Sequence, residues 1–117
     1  MPNDFRELVG LEVAEAGDGR AVATLDATEV HLNPHGTVHG GAIATLVDVA
    51  MGGAVAAAGA ETPATIEMKV TYLEAAQPGP LRAEAKVRKR GRRITIVEAE
   101  VTQDGDLVAL ALATFTS

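Results

Sequence analysis

A chain of 117 residues with 47% hydrophobic content suits one domain spanning 1–117, with material for a core but not for covering all of its own apolar surface. Cysteine is absent and serine occurs once, at Ser117, which excludes disulfide frameworks, thiolate metal sites, cysteine nucleophiles and a serine-nucleophile hydrolase. The net charge of −6 disfavours nucleic acid as a partner, and two Phe, one Tyr and no Trp leave little to stack on bases.

That charge is unevenly spread. Seven of the ten basic residues lie between Arg82 and Arg93, where Glu84 is the single acid, so this window carries +6 while the remainder carries −12. Such a stretch suits either a solvated edge hairpin or a small polyanion.

In chain order, Phe5, Leu8, Val9 and Leu11 form a short amphipathic lead-in, read as a helical lid. It lacks the apolar run of a secretory signal, so a cytoplasmic protein is expected. Gly17-Asp18-Gly19 turns the chain into a strand over 21–27. A polar loop follows from His31 to Gly41, in which Pro34 and Gly36 prevent regular structure. From Gly40 to Ala58 the chain is proline-free and alanine-rich, which predicts one helix of about five turns. Ile43, Leu46, Val47, Val49, Met51 and Val55 leave it no wide polar face, so it must be wrapped on most sides. Its length also suits a membrane span, but Asp48 and the missing aromatic belt argue against one.

Four β-rich runs come next: 65–74, 81–90, 92–102 and 107–116. In the first, Ile66, Met68, Val70 and Tyr72 are expected to share one face. The order of strand, buried helix and antiparallel meander predicts an α+β fold with a curved sheet around one helix. A five-stranded sheet cannot protect both its edges and every face of that helix, so a homo-oligomer is expected.

Asp48 is the most informative residue, because a carboxylate two turns inside an apolar helix is costly to bury unless it is answered or kept for function. Gly40 and Gly41 open the helix, where free N–H groups and the positive end of the macrodipole would stabilise a carbonyl oxygen gaining negative charge. Eight residues separate Gly40 from Asp48, about 12 Å along the axis. One chain therefore cannot bring both to the same carbonyl, whereas two antiparallel helices across a dimer can. His31, His35 and His39 are spaced by four, but Pro34 and Gly36 break the helix that a metal site at this spacing needs, and no metal is expected. His39 suits either capping the helix or orienting a substrate. Asn33 suits either a turn before Pro34 or the positioning of a water. The basic residues Arg88, Lys89, Arg90 and Arg92 surround a hairpin turn, and coenzyme A phosphates would explain them.

The run His31-Leu32-Asn33-Pro34-His35-Gly36-Thr37-Val38-His39-Gly40-Gly41, followed by Leu46-Val47-Asp48-Val49-Ala50, resembles the signature of hotdog-fold acyl-CoA thioesterases of the phenylacetate-pathway (PaaI-like) branch. The resemblance implies an antiparallel sheet of five to six strands around one long central helix. It implies dimers whose sheets join, usually paired into homotetramers. By the same resemblance Asp48 activates water or attacks the thioester, the Gly40 amide is the oxyanion donor, and Asn33 and His39 orient water and thioester. Thr65 matches a hydroxyl near the carboxylate, and Gly41, Arg88, Lys89, Arg90 and Arg92 are assigned to substrate. No cofactor is expected, since coenzyme A belongs to the substrate, an aryl-acetyl or medium-chain acyl thioester. The alternatives are a hotdog enoyl-CoA hydratase or dehydratase, and a non-catalytic acyl-CoA binding module.

Overall fold

The computed structural model describes residues 4–117. A short helix α1 (Phe5–Val9) leads into strands β1 (Leu11–Gly17) and β2 (Arg20–Ala27). A single turn of 3-10 helix, Glu29–His31, and a loop connect β2 to the long helix α2 (Gly40–Ala57). Strands β3 (Thr65–Tyr72), β4 (Gly79–Arg90), β5 (Ile94–Gln103) and β6 (Asp106–Thr116) complete the chain. All six strands form one antiparallel sheet in the order β1-β2-β4-β5-β6-β3, so β1 and β3 are its edges. This is the expected α+β hotdog architecture.

Local chemistry explains the hairpins. Asp18-Gly19 and Asp104-Gly105 each place both turn residues at positive φ, the two-residue turn whose twist matches that of the flanking strands. The core is built on α2, whose Ile43, Leu46, Val47, Ala50, Met51, Ala54 and Val55 recur at helical spacing and are buried against the sheet. Alanines on the facing strands, among them Ala21, Ala23, Ala83, Ala85, Ala99 and Ala113, let the sheet curve closely around it. A Cβ added at Gly53 would stand 3.2 Å from that of Ala21. The helix has the hydropathy and length of a membrane span, but the residues that give it that character fill the concave face of the sheet.

Two expectations require correction. The lead-in does not continue through Leu11: Gly10 ends α1 in the left-handed conformation, and Leu11 begins a sixth strand that the sequence reading missed. After Leu11 and Val13 this strand is exposed and holds only small residues and Glu15, and it carries a bulge, so no alternation announces it. Nor does the alternation expected from Ile66 to Tyr72 run unbroken: a bulge between Thr65 and Glu67 leaves Ile66 without a register partner and 54% exposed, and Thr65 pairs with the buried Phe115.

Leu46 has no accessible surface, so Leu46→Ala leaves a cavity between α2 and the sheet. It should cost about 2–5 kcal/mol in a urea titration, with the slope of the transition unchanged.

Candidate active site

The start of α2 is set by a self-bonded loop. The side chain of Asn33 accepts from the amides of His35 and Thr37 at 2.9 and 3.2 Å and donates to Thr37 Oγ1 at 2.8 Å. Backbone bonds Asn33 N–H to Thr37 O and Gly36 N–H to Asn33 O close the same turn. The buried Val38 pins its exit to the sheet side by donating to Ala76 O. Asn33 thus builds the loop that delivers His39 to the helix.

His39 is the N-cap, and its Nδ1 accepts the Gly41 N–H at 2.8 Å. The Ala42 and Ile43 amides donate to the His39 carbonyl. Among the described residues the Gly40 N–H has no acceptor, so it is the amide of this first turn left for a ligand. The Gly41 amide, assigned to substrate from the sequence, is occupied by His39.

Asp48 is only half-buried within the chain, on the flank of α2 that faces edge strand β3. As the family resemblance implies, a hydroxyl lies beside it: Thr65 Oγ1 donates to Asp48 Oδ1 at 2.6 Å, a contact that the β3 bulge makes possible. Among the described residues the second carboxylate oxygen has no hydrogen-bond partner. A carboxylate steered by one hydroxyl and open at its other oxygen is suited to take a proton from water or to attack a carbonyl.

The remaining predicted residues are dispersed. His31 accepts from Thr28 N–H at Nδ1 and lies 2.6 Å from Val9 O at Nε2, tying α1 to the 3-10 turn, while His35 is exposed in the loop. Arg88 pairs with Glu98 at 3.1 Å, and Arg90 donates to Ala58 O at 2.6 Å, capping the C-terminal end of α2. Lys89 and Arg92 are exposed. The basic hairpin therefore sits at the far end of an 18-residue helix from Gly40, about 27 Å along the axis.

Beside the helix start lies an open groove of about 500 Å³. It is lined by Phe5, Leu8 and Val9 of α1, by Val30, His31 and Leu32 before the loop, and by His39, Gly41, Ala42 and Thr45 at the helix start. A second cleft of about 340 Å³, on the β3 side of Gly40, is lined by Val38, Ile43 and Tyr72. Burial raises the Tyr72 phenol above its ordinary pKa. From the sequence this residue, the one tyrosine in the chain, is expected to supply only a little aromatic lining to the pocket and carries no catalytic assignment.

Comparison with known proteins shows the family. The thioesterase superfamily model matches residues 35–110. The solved structure of conserved protein PA5202 from Pseudomonas aeruginosa superposes with a TM-score of 0.94 at 39% identity, covering 99% of this chain and 94% of that one. A mutant of the phenylacetic acid degradation protein PaaI from Thermus thermophilus superposes with a TM-score of 0.90 at 31% identity, covering 96% of both chains. Human acyl-coenzyme A thioesterase 13 is 29% identical over 111 residues, 91% of this chain and 79% of its own length. The helix, its glycine start and its carboxylate thus belong to an enzyme of the thioesterase superfamily, a PaaI-like chain with the hotdog fold.

Proposed function

We propose that this chain hydrolyses an acyl-CoA thioester to the free acid and coenzyme A, with an aryl-acetyl or medium-chain acyl group. The observation that carries this reading is the pairing of Asp48, held by Thr65 with one oxygen free, with a helix that opens on an unpartnered Gly40 N–H. The Gly40 amide receives the thioester oxygen as it gains charge, and the free oxygen of Asp48 either deprotonates water or attacks the carbonyl. Asn33 acts by shaping the loop, His39 through its ring beside the groove, and Thr65 by orienting the carboxylate. The apolar groove under α1 and the cleft beside Tyr72 both open next to Gly40, and either wall material suits an apolar acyl group.

The two halves of this machinery lie about 12 Å apart on one helix, so they meet over one carbonyl only if a second copy contributes one of them. Edge strand β3 supports that arrangement. It pairs with β6 on one side alone, and Ile66, Tyr72 and Leu73 along it are about half exposed. A dimer joined there with antiparallel α2 helices, further paired into a tetramer, sets Asp48 of one copy against Gly40 of the other. It also carries the basic hairpin of one copy toward the helix start of its partner, where Lys89 and Arg92 are free to meet the coenzyme A phosphates in the cytoplasm. Arg88 and Arg90 would have to leave Glu98 and Ala58 to take part.

A thiol-release assay over a panel of acyl-CoAs tests the reaction, and turnover of an aryl-acetyl or medium-chain substrate is expected. Asp48→Asn should lower kcat by about 10²- to 10⁴-fold while the assembly survives. A near-native rate would remove Asp48 from the chemistry.

A mixing experiment tests the shared site. Gly40→Pro deletes the free amide, and proline suits the first position of a helix. Equal amounts of the Asp48→Asn and Gly40→Pro chains, refolded together, should regain about a quarter of the unaltered activity, because half of a statistical mixture is heterodimer with one intact site in two. No recovery from chains that demonstrably associate would refute a site built by two copies.

Charge reversal at Lys89 and Arg92 should raise KM with little change in kcat, since neither residue supports the fold through an ion pair. An unchanged KM would dismiss the hairpin as the phosphate contact.

A further inference from the structure

The ring of Tyr72 lies against the first residue of α2. A Cβ built on Gly40 would stand 3.3 Å from both Cζ and the hydroxyl oxygen of the ring, and the hydroxyl donates to the Gly40 carbonyl at 2.8 Å. Burial raises the phenol pKa, so the group stays a protonated donor. The carbonyl it holds belongs to the same peptide unit as the Gly41 N–H, which donates to His39 Nδ1 at 2.8 Å. One peptide plane is thus bonded at both ends, by Tyr72 on the oxygen and by His39 on the hydrogen.

Two consequences follow from elementary chemistry. A carbonyl that accepts a hydrogen bond polarises its own amide, which strengthens the N–H as a donor. An imidazole that accepts at Nδ1 carries its proton, when neutral, at Nε2, so His39, which lines the groove, keeps an Nε2–H as a donor.

We propose that Tyr72 is a positioning residue for the thioester hydrolysis inferred above: through the Gly40–Gly41 peptide it holds the Gly41 N–H on His39 Nδ1 and so fixes the tautomer of His39. The proposal rests on that reading of the reaction, but the clamp itself is a statement about three residues that can be measured without substrate. Tyr72 touches no reacting atom. It acts by making one conformation of the helix start the resting one, so that the His39 Nε2–H is set as a donor before substrate arrives.

The test is Tyr72→Phe, which removes one oxygen and keeps the ring against Gly40. The variant should fold and associate like the unaltered protein, lose about five- to tenfold in kcat and keep KM within about twofold. In a His39→Ala background the same change should cost less than about twofold, because the residue through which it acts is gone. Without any substrate, Tyr72→Phe should shift the Gly41 amide resonance toward weaker hydrogen bonding and move the His39 ring-nitrogen shifts away from the pure Nε2–H pattern. Equal losses of kcat in both backgrounds, or unmoved Gly41 and His39 signals, would overturn the clamp. If the unaltered protein turned over no acyl-CoA at all, the hydrolysis reading would fall instead, and the nitrogen signals would still decide the role of Tyr72.

Discussion

The burial of α2 beneath the curved sheet is the constraint from which the rest of the structure follows. Its apolar residues recur at intervals of three and four, and complete burial of a side chain such as Leu46 or Met51 contributes about 1.5–3 kcal/mol. With the helix fixed along that face, its two ends and its flank acquire fixed places. Gly40 is held at one end, Ala58 meets Arg90 at the other, and Asp48 is carried on the flank toward β3. The sheet side of the helix supplies stability, and its flank keeps the half-buried carboxylate beside β3.

The first turn of that helix shows how the polar groups are divided. A helix start leaves several N–H groups without intrahelical acceptors, and leaving them unpaired is costly wherever water is excluded. Here the His39 ring takes the Gly41 amide and the His39 carbonyl takes the next ones, while Tyr72 braces the adjoining carbonyl. Satisfying every neighbour leaves the Gly40 N–H as the open donor, and it does so in a rigid frame. A side chain there would begin 3.3 Å from the Tyr72 ring, which would have to give by a few tenths of an ångström to admit it.

Electrostatics are less segregated in space than along the chain. The +6 window from Arg82 to Arg93 faces β5 across the hairpin, where Lys86 pairs in register with Glu98. Arg82 bonds Glu84, Arg88 bonds Glu98 and Arg90 turns to a backbone carbonyl, so three of the seven basic residues are answered by the protein. What remains for an external anion is confined to the loop and its flanks, a smaller surface than the charge count suggests.

The sequence by itself determined the long helix, its glycine start, Asp48 within it, and the strands after it, because each is written in local periodicity or turn chemistry. It also carried the family, through the run from His31 to Gly41 and the aspartate beyond it. Only the tertiary structure decided which of those residues meet. Asp48 reaches Thr65 because a bulge in β3 inverts the local alternation, and that bulge is set by register against β6, about fifty residues away in the chain. β1 was illegible because an exposed edge strand buries little on either face and so leaves no alternating pattern. Tyr72 on Gly40, and Arg90 on Ala58, are contacts between segments thirty-two residues apart. Such contacts depend on how sheet curvature and strand register bring distant backbone together, and no local pattern of residues encodes them.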